Sequence, residues 1–161
     1  MRAWAFLALF LMVATPAAAQ TRSLGVFGLW GSFEKESSRS CYAISEPYRG
    51  TKPQGWRAFA SVSYWPARGI RSQVHFRLSR EKRKGSAVLL RVGDRTFQLL
   101  AGARDAWAPD QQADALIVSA LRSGVDMTIE TRATNGALVR DQYRLNGAAT
   151  AIDAAAIACA R

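Results

Sequence analysis

Apolar and polar residues alternate along most of the chain, which is the pattern of half-buried β-strands. In residues 73–79, Val74, Phe76 and Leu78 fall on the predicted inner face and His75 falls on the outer face. The predicted strands are residues 24–30, 38–45, 56–65, 73–79, 86–92, 95–101, 125–133 and 137–145.

Two dipeptides predict tight hairpins between consecutive strands. Gly93-Asp94 separates one pair of strands, and Asn135-Gly136, the strongest short hairpin signal, separates another. The inner face of the strand at 125–133 is predicted to carry Val125, Met127 and Ile129.

Two helices are predicted among the strands. Asp110 is a favourable N-cap for a helix that runs to Ser123, and Gly124 follows as its terminator. A second helix, at residues 148–160, consists mostly of alanine and is expected to pack on the sheet. The predicted apolar faces are Ala113, Leu116, Ile117, Ala120 and Leu121 in the first helix and Ile152, Ala155, Ala156 and Cys159 in the second. Many short strands with turns between them predict a mainly β fold, an antiparallel β-sandwich with two short helices.

The N-terminus has the features of a secretory signal peptide. Arg2 gives a positive start, residues 4–14 form an uncharged apolar run, and Ala19 ends a small-residue cleavage motif. The run is shorter than the roughly 20 apolar residues of a membrane-spanning helix. We therefore predict a signal peptide at residues 1–19 and a single β-sandwich domain at residues 20–161, located in the periplasm or secreted, with no transmembrane segment.

The two cysteines, Cys41 and Cys159, have three candidate roles: a metal site, a catalytic nucleophile or a disulfide. Two thiolates are too few for a tetrahedral zinc site, and no CxxC or HxxxH spacing adds ligands. A thiol nucleophile would need the single histidine, His75. Disulfides persist outside the cytoplasm, so the even cysteine count and the wide spacing favour a Cys41–Cys159 bridge that ties the second helix to an early strand.

The net charge of the chain indicates which kinds of partner it attracts. The chain has 22 basic and 12 acidic residues and a net charge of +10, and loss of Arg2 with the signal peptide leaves +9. Such a surface attracts polyanions. For an exported protein these are anionic polymers or lipid headgroups of the envelope or of a host surface, rather than nucleic acid. Charge that only keeps the protein in solution is the competing interpretation.

Two stretches combine side chains that suit binding. In residues 64–71 aromatic and arginine side chains meet at a predicted turn, and such residues are common binding anchors. Residues 80–85 place four basic residues before a glycine, which suits phosphate or sulfate groups. A tryptophan that closes the end of the sandwich and a solvated turn are the simpler alternatives. The candidate binding residues are Tyr64, Trp65, Arg68, Arg71, Arg80, Lys82, Arg83 and Lys84.

No motif of catalysis stands out. His75 is predicted to be an exposed strand residue, and the chain has no G-x-S-x-G elbow. Asp105, Asp110 and Asp114 match no EF-hand loop, and helix capping together with first-turn charge accounts for the last two. We predict a non-enzymatic protein without cofactor or metal.

Several segments, taken in their order along the chain, are characteristic of one family. They are GVFGLWGSF (25–33), SCYAISEP (40–47), RTFQL (95–99) followed by AWA (106–108), DALIVSALRSG (114–124) and YRLNG (143–147) before the last cysteine. In these segments the chain resembles the invasion-associated locus B family over essentially the whole length that follows the signal peptide. The chain departs from the family pattern in its short form and in the arginine-rich segment at residues 66–84.

The resemblance implies an exported alphaproteobacterial protein with a β-sandwich core, periplasmic or on the outer surface. The family name comes from a virulence-associated role in host-cell entry by some pathogens, while many relatives resemble ordinary envelope proteins. The leading hypothesis is therefore an envelope protein that contacts anionic polymers through a basic face. One alternative is a periplasmic accessory or inhibitor-like protein that binds another protein through the Trp65 region, and another is a hydrolase with an unrecognised site.

Overall fold

This computed structural model describes residues 21–50 and 55–160 of the chain. These residues contain ten strands and two α-helices. The signal peptide predicted at residues 1–19 lies outside the described residues. The strands are β1 Thr21–Phe27, β2 Trp30–Lys35, β3 Ser40–Ser45, β4 Phe59–Trp65, β5 Ile70–Arg77, β6 Val88–Val92, β7 Arg95–Ala101, β8 Asp105–Trp107, β9 Asp126–Arg132 and β10 Leu138–Arg144. The helices are α1 Gln111–Ser123 and α2 Ala148–Ala158.

The strands form one continuous antiparallel sheet in the order β1-β2-β3-β4-β5-β8-β7-β6-β9-β10. Strands β1 to β5 form a simple meander, and the short strand β8 then joins β5 to the second half of the sheet. The predicted mainly β fold with antiparallel strands and two helices is confirmed.

The sheet curls until its two edges meet. The indole Nε1 of Trp30, at the start of β2, donates a hydrogen bond of 3.0 Å to the carbonyl oxygen of Arg144, at the end of β10. The amide of Leu29 donates to the carbonyl of Asn146 at 3.2 Å. Ser79, just after β5, donates its amide to the Asp141 carboxylate of β10 at 2.9 Å. The curl therefore places the two halves of the sheet face to face around one core.

Two glycines permit this closure. Gly28 in the β1–β2 turn and Gly147 before α2 both have positive φ, 58° and 87°. A Cβ on Gly147 would lie 1.8 Å from the carbonyl oxygen of Phe27, and one on Gly28 would lie 2.5 Å from that of Asn146. Only a residue without Cβ allows backbones to approach this closely in this conformation. We call this contact between the β1–β2 turn and the β10–α2 connection the seam.

Buried side chains from both halves of the sheet and from both helices form a single cluster. The predicted inward positions Val74, Phe76 and Leu78 are fully buried, and His75 lies on the opposite face of β5, as predicted. The other large, fully buried side chains are Trp30, Val62, Leu90, Ile117, Leu121, Met127, Ile129, Tyr143 and Ile152.

Both helices begin where the sequence indicated. The carboxylate of Asp110 accepts a hydrogen bond from the amide of Ala113 at 2.8 Å, which is an N-cap, and Gly124 follows α1. Helix α2 packs on strands β1 to β4 through small side chains, including the fully buried Ala151 and Ala155. No helix within residues 21–50 and 55–160 is long and apolar enough to cross a membrane.

The disulfide between Cys41 of β3 and Cys159, just after α2, is present as predicted. The two Cα atoms are 5.8 Å apart, and the bond joins positions 118 residues apart in the chain. An alanine-rich helix offers little apolar area per residue. The covalent bond therefore holds a helix whose own packing is weak.

Four details of the predicted strands and helix faces were wrong. Residues 24–30 are not one strand, because a turn at Gly28 divides them between β1 and β2. Val125 was assigned to the inner face but is 75% exposed, since β9 begins one residue later. Leu116 is 51% exposed, and Val118 is buried in its place. Strand β8 was not predicted, because its three residues give too short a pattern.

Candidate functional site

The first candidate region is the β4–β5 hairpin. A single 3-10 turn, Pro66–Arg68, joins the two strands, and Gly69 closes it with a φ of 68°. The guanidinium of Arg68 lies over the half-buried ring of Trp65, 4.9 Å from the ring centroid, which is a cation–π contact. The guanidinium covers part of the Trp65 ring. The ring therefore packs within the hairpin and also forms part of the hairpin surface.

A cleft of about 430 Å³ opens between this hairpin and the end of α2. Tyr64 and Arg71 lie on its hairpin side, and Cys159 brings the disulfide to its wall. Tyr64 and Arg71 also border a second concavity, which extends along α1 to Arg122. Burial raises the pKa of Tyr64, against the opposing effect of the Arg122 guanidinium. The cleft therefore combines an apolar wall with the exposed cation of Arg71.

The second candidate region is the loop at residues 80–85, and backbone hydrogen bonds fix its position. The amide of Lys82 donates to the carbonyl of Ala103, and the amide of Arg83 donates to that of Arg132, both at 2.8 Å. The amide of Thr134 donates back to the carbonyl of Glu81 at 3.1 Å. The loop is therefore held between the β7–β8 connection and the end of β9.

This arrangement adds two cations that the sequence analysis did not include. Arg132 is brought to the loop by the backbone bond to Arg83. Arg104 reaches the carboxylate of Glu81 at 3.5 Å, and its guanidinium lies 4.2 Å from the ring centroid of Trp56. We call this cluster the basic end; it consists of Arg80, Lys82, Arg83, Lys84, Arg104 and Arg132.

Most of the positive charge at the basic end is not neutralised locally. Elsewhere arginines pair with carboxylates, as Arg77 does with Asp105 and Arg144 does with Asp126. In the described part of the chain, Glu81 is the one carboxylate paired with a member of the basic end. Within residues 21–50 and 55–160, no such pair is formed by Arg80, Lys82, Arg83 or Lys84.

The two candidate regions lie at opposite ends of the same strands. β5 begins at Ile70, beside the hairpin cleft, and ends at Arg77, close to the loop at residues 80–85. Its eight residues span about 26 Å at the usual rise of a strand. The structure therefore does not bring Arg68 and Arg71 together with the lysines and arginines of the basic end.

His75 was predicted to be exposed, but its side chain is only 24% exposed because it belongs to an aromatic cluster that the sequence analysis did not identify. Its ring stacks on Trp107 at 5.1 Å, with an interplanar angle of 5°, and meets the edge of Phe59 at 5.1 Å. Its Nε2 lies 2.8 Å from Asp105, which also accepts a hydrogen bond from Arg77 at 2.9 Å. The sequence analysis missed this cluster because Trp107 lies on β8, a strand that the sequence pattern did not predict.

This cluster does not have the geometry of a hydrolase triad. The hydroxyl of Ser61, which is opposite His75 in the β4–β5 register, donates to the backbone carbonyl of His75 and not to its ring. In a catalytic triad, the serine hydroxyl forms a hydrogen bond with the imidazole nitrogen that is not bonded to the carboxylate. Among the described residues, no group of three or more His, Cys, Asp or Glu could hold a metal ion.

Asp105 gives a pH-dependent prediction. Burial acts to raise the pKa of its carboxyl, but hydrogen bonds from Arg77 and His75 outweigh this and hold the pKa below its ordinary value. A lowered pKa stabilises the fold above the unfolded value of about 3.9, and this stabilisation is lost as the pH falls further. We expect Asp105→Asn to lower the free energy of unfolding by about 1 kcal/mol at pH 7.

The measurement is urea unfolding of both proteins between about pH 7 and pH 3. The difference in stability should shrink below about pH 4, because protonation removes the charge that Arg77 and His75 stabilise. Stability curves that stay parallel across this range would show that the ionised carboxylate of Asp105 contributes nothing.

The acidic residues near α1 have structural partners. Asp110 caps the helix, which confirms the capping interpretation, and the Asp114 carboxylate accepts a hydrogen bond from the amide of Val74 at 2.7 Å. Burial raises the pKa of Asp114. The Asp114 side chain therefore positions α1 against β5, while Asp110 stabilises the start of the helix itself.

Taken together, the described residues define a mainly β domain with a curled antiparallel sheet, a C-terminal helix bonded to β3 by a disulfide, and a basic loop of which most charge is unpaired. The crystal structure of invasion associated protein B from Bartonella henselae is similar, with a TM-score of 0.58, 16% sequence identity, and coverage of 82% of this chain and 94% of that chain. A sequence identity of 16% is low, so the likeness establishes a shared fold. The predicted resemblance is therefore confirmed for the fold. No family model and no curated protein matches the chain.

Proposed function

We propose that the protein is an exported envelope protein whose basic end binds anionic polymers. The observation that carries the proposal is the fixed cluster of six cations at one end of the sheet, with Glu81 as its one paired carboxylate among the described residues. Cations held by a rigid backbone can bind successive phosphate or sulfate groups without first losing loop entropy.

Export is supported by two independent features. The N-terminal sequence has the form of a signal peptide, with cleavage after Ala19, which would leave residues 20–161 as the single mature domain. The Cys41–Cys159 disulfide is of the kind that persists in oxidising compartments. The fold likeness to invasion associated protein B is consistent with the export that the family resemblance implies.

The proposed ligands share one chemistry, repeated anionic groups on a polymer or a lipid surface. Long-range attraction to a mature protein with net charge +9, which is the +10 of the full chain without Arg2, favours such ligands, and rising salt weakens it. Heparin represents a host-surface polymer, and lipopolysaccharide represents the bacterial envelope. A preference between these two probes would identify the source of the ligand.

The test is removal of exposed charge from the basic end. We expect Arg83→Gln combined with Lys84→Gln to weaken heparin or lipopolysaccharide binding by about tenfold at roughly 0.1 M salt, and less at higher salt. The matched control is Lys35→Gln with Arg95→Gln, which removes the same net charge from exposed positions at the opposite end of the sheet. Equal losses in the two double variants would contradict a specific role for the basic end.

A second candidate function is protein binding at the Trp65 region, as an accessory or inhibitor-like protein. It is favoured by the cleft of about 430 Å³ beside Arg71, which offers an apolar wall of Ile70 and Ala156. Binding at an apolar cleft should survive salt that abolishes polyanion binding. A partner retained at high salt and lost on Arg71→Glu would favour this candidate over the basic end.

A further inference from the structure

The outer face of three neighbouring strands carries an excess of arginines. Along β6, β9 and β10 buried residues alternate with residues that are exposed or half-buried, so each strand directs every second side chain outward. Four arginines and one carboxylate lie on this outer face or at its edge. We call this group the arginine face; it consists of Arg49, Arg91, Arg132, Arg140 and Glu130.

The strand registers place two of these arginines at the ends of one row. Arg91 of β6 is opposite Thr128 of β9. Thr128 is opposite Gln142 of β10, and Gln142 pairs in turn with Arg49 at the edge of the sheet. Register partners lie on the same face of a sheet, so Arg49 shares the outer face with Gln142. Three spacings of about 4.8 Å separate the backbones of the two arginines by roughly 14 Å.

The arginine face has more cations than carboxylates. Glu130 pairs with Arg140 at 2.7 Å and with Arg91 at 3.4 Å, so one carboxylate serves two guanidiniums. Among the residues whose positions the structure describes, Arg49 and Arg132 have no carboxylate partner. Four cations against one carboxylate leave three positive charges in excess on this face.

Arg132 joins the arginine face to the basic end. Its backbone carbonyl accepts a hydrogen bond from the amide of Arg83 at 2.8 Å, and it follows Glu130 by two residues, on the same face of β9. Arg132 and Thr128 are four residues apart on this strand, which is roughly 13 Å at the usual rise. The cations therefore form one path from the loop at residues 80–85 onto the outer face of the sheet.

Hydrogen-bonding side chains lie between the two arginines of the row. Thr128 and Gln142 are half-buried, and each can both donate and accept, as a sugar hydroxyl requires. The guanidiniums of Arg49 and Arg91 can each form paired hydrogen bonds with a sulfate, phosphate or carboxylate group. All four side chains of the row are polar or charged, whereas membrane-surface sites bury apolar or aromatic side chains. The row therefore suits an anionic sugar chain better than a lipid surface.

We propose that one chain of a linear anionic polysaccharide occupies the basic end and the arginine face together, and crosses Arg132 between them. The inference rests on the proposed function and adds to it the class of the ligand and the extent of its contact. A single phosphate or sulfate cannot reach cations that are spread over roughly 13 Å of strand. Contacts made by one chain reinforce each other, so affinity should rise with chain length until both regions are occupied.

The test is titration calorimetry of the mature protein with heparin oligosaccharides of increasing length, from tetrasaccharide to dodecasaccharide. At roughly 0.1 M salt we expect the wild type to bind the dodecasaccharide at least about tenfold more tightly than the tetrasaccharide. Arg49→Gln with Arg91→Gln should remove most of this gain and change tetrasaccharide binding by less than about twofold. Arg140 still pairs with Glu130 in this variant, so β9 and β10 keep their side-chain contact.

The matched control is Arg22→Gln with Arg57→Gln. It removes the same net charge from exposed arginines outside both regions, so it should lower binding slightly and by the same factor at every chain length. Glu130→Gln should act in the opposite direction and strengthen dodecasaccharide binding by about threefold, because it removes the carboxylate that repels the ligand. A variant that merely folds badly could not bind more tightly.

The outcomes separate this inference from the proposed function. Arg83→Gln with Lys84→Gln should weaken oligosaccharides of every length, and no effect of that variant would refute binding at the basic end. Affinity that is independent of chain length, or an Arg49/Arg91 variant that behaves like its control, overturns the extended path and leaves the basic end in place. So does an equal loss of binding by the Arg49/Arg91 variant to vesicles of anionic phospholipid, because the face would then recognise any charged surface.

Discussion

Replacing both cysteines with alanine is expected to lower the free energy of unfolding by about 4 kcal/mol. The bond between Cys41 and Cys159 closes a loop of 118 residues, which is most of the domain. In the chain-entropy description, the disulfide stabilises the fold because it lowers the conformational entropy of the unfolded chain, and the effect grows with loop length. Removing the bond returns this entropy to the unfolded chain and so favours unfolding. The folded state loses only the two sulfur atoms, because alanine keeps the backbone and the Cβ of each cysteine.

Chemical denaturation of the double variant and of wild-type protein measures this loss, with reduced wild-type protein as the internal control. Reduction should reproduce most of the effect of the substitutions, because both open the same loop. Hydrogen exchange should show α2 losing protection first, since its buried face consists of Ala148, Ala151, Ile152 and Ala155. A variant as stable as the wild type would refute the role given to the disulfide.

Substitution at the seam is expected to have a comparable effect without touching the disulfide. Gly147→Ala should lower the free energy of unfolding by about 3 kcal/mol or more. A Cβ there would lie 1.8 Å from the carbonyl oxygen of Phe27, so the β1–β2 turn must move away from the β10–α2 connection. That movement would also break the hydrogen bond from Trp30 to Arg144.

Gly136→Ala is the matched control for this prediction. Gly136 has a φ of 83°, close to the 87° of Gly147, but a Cβ there would meet nothing within 4 Å. Alanine at Gly136 should therefore show only the cost of the left-handed conformation, about 1 kcal/mol. If the two variants lose the same stability in urea unfolding, the close approach at the seam contributes nothing.

Local patterns predicted the elements that carry strong alternation or turn chemistry. Strand β7 begins and ends where the residues around Gly93-Asp94 indicated, and the inner face of β5 was assigned correctly. The first hairpin was missed because its turn, Gly28-Leu29, lies within an apolar run and contains no polar turn residue. An apolar run with glycines is equally consistent with one strand or two.

The candidate surfaces were predicted only in part, because they depend on pairing between strands distant in sequence. The loop at residues 80–85 was recognised from its own basic residues, but Arg104 and Arg132 join it through β8 and β9. The aromatic cluster of His75 and Trp107 likewise needs β8 to pair with β5. No periodicity within a single segment contains that information.

Export and cysteine pairing, on which the proposed function depends, are tested together by one intact-mass measurement. The protein is recovered from the envelope fraction of expressing cells and alkylated in denaturant without reductant. We expect the mass of residues 20–161 with no alkyl group, and one alkyl group on each of Cys41 and Cys159 after reduction. A chain that retains residues 1–19, or cysteines alkylated before reduction, would contradict an exported protein whose C-terminal helix is tied to its third strand.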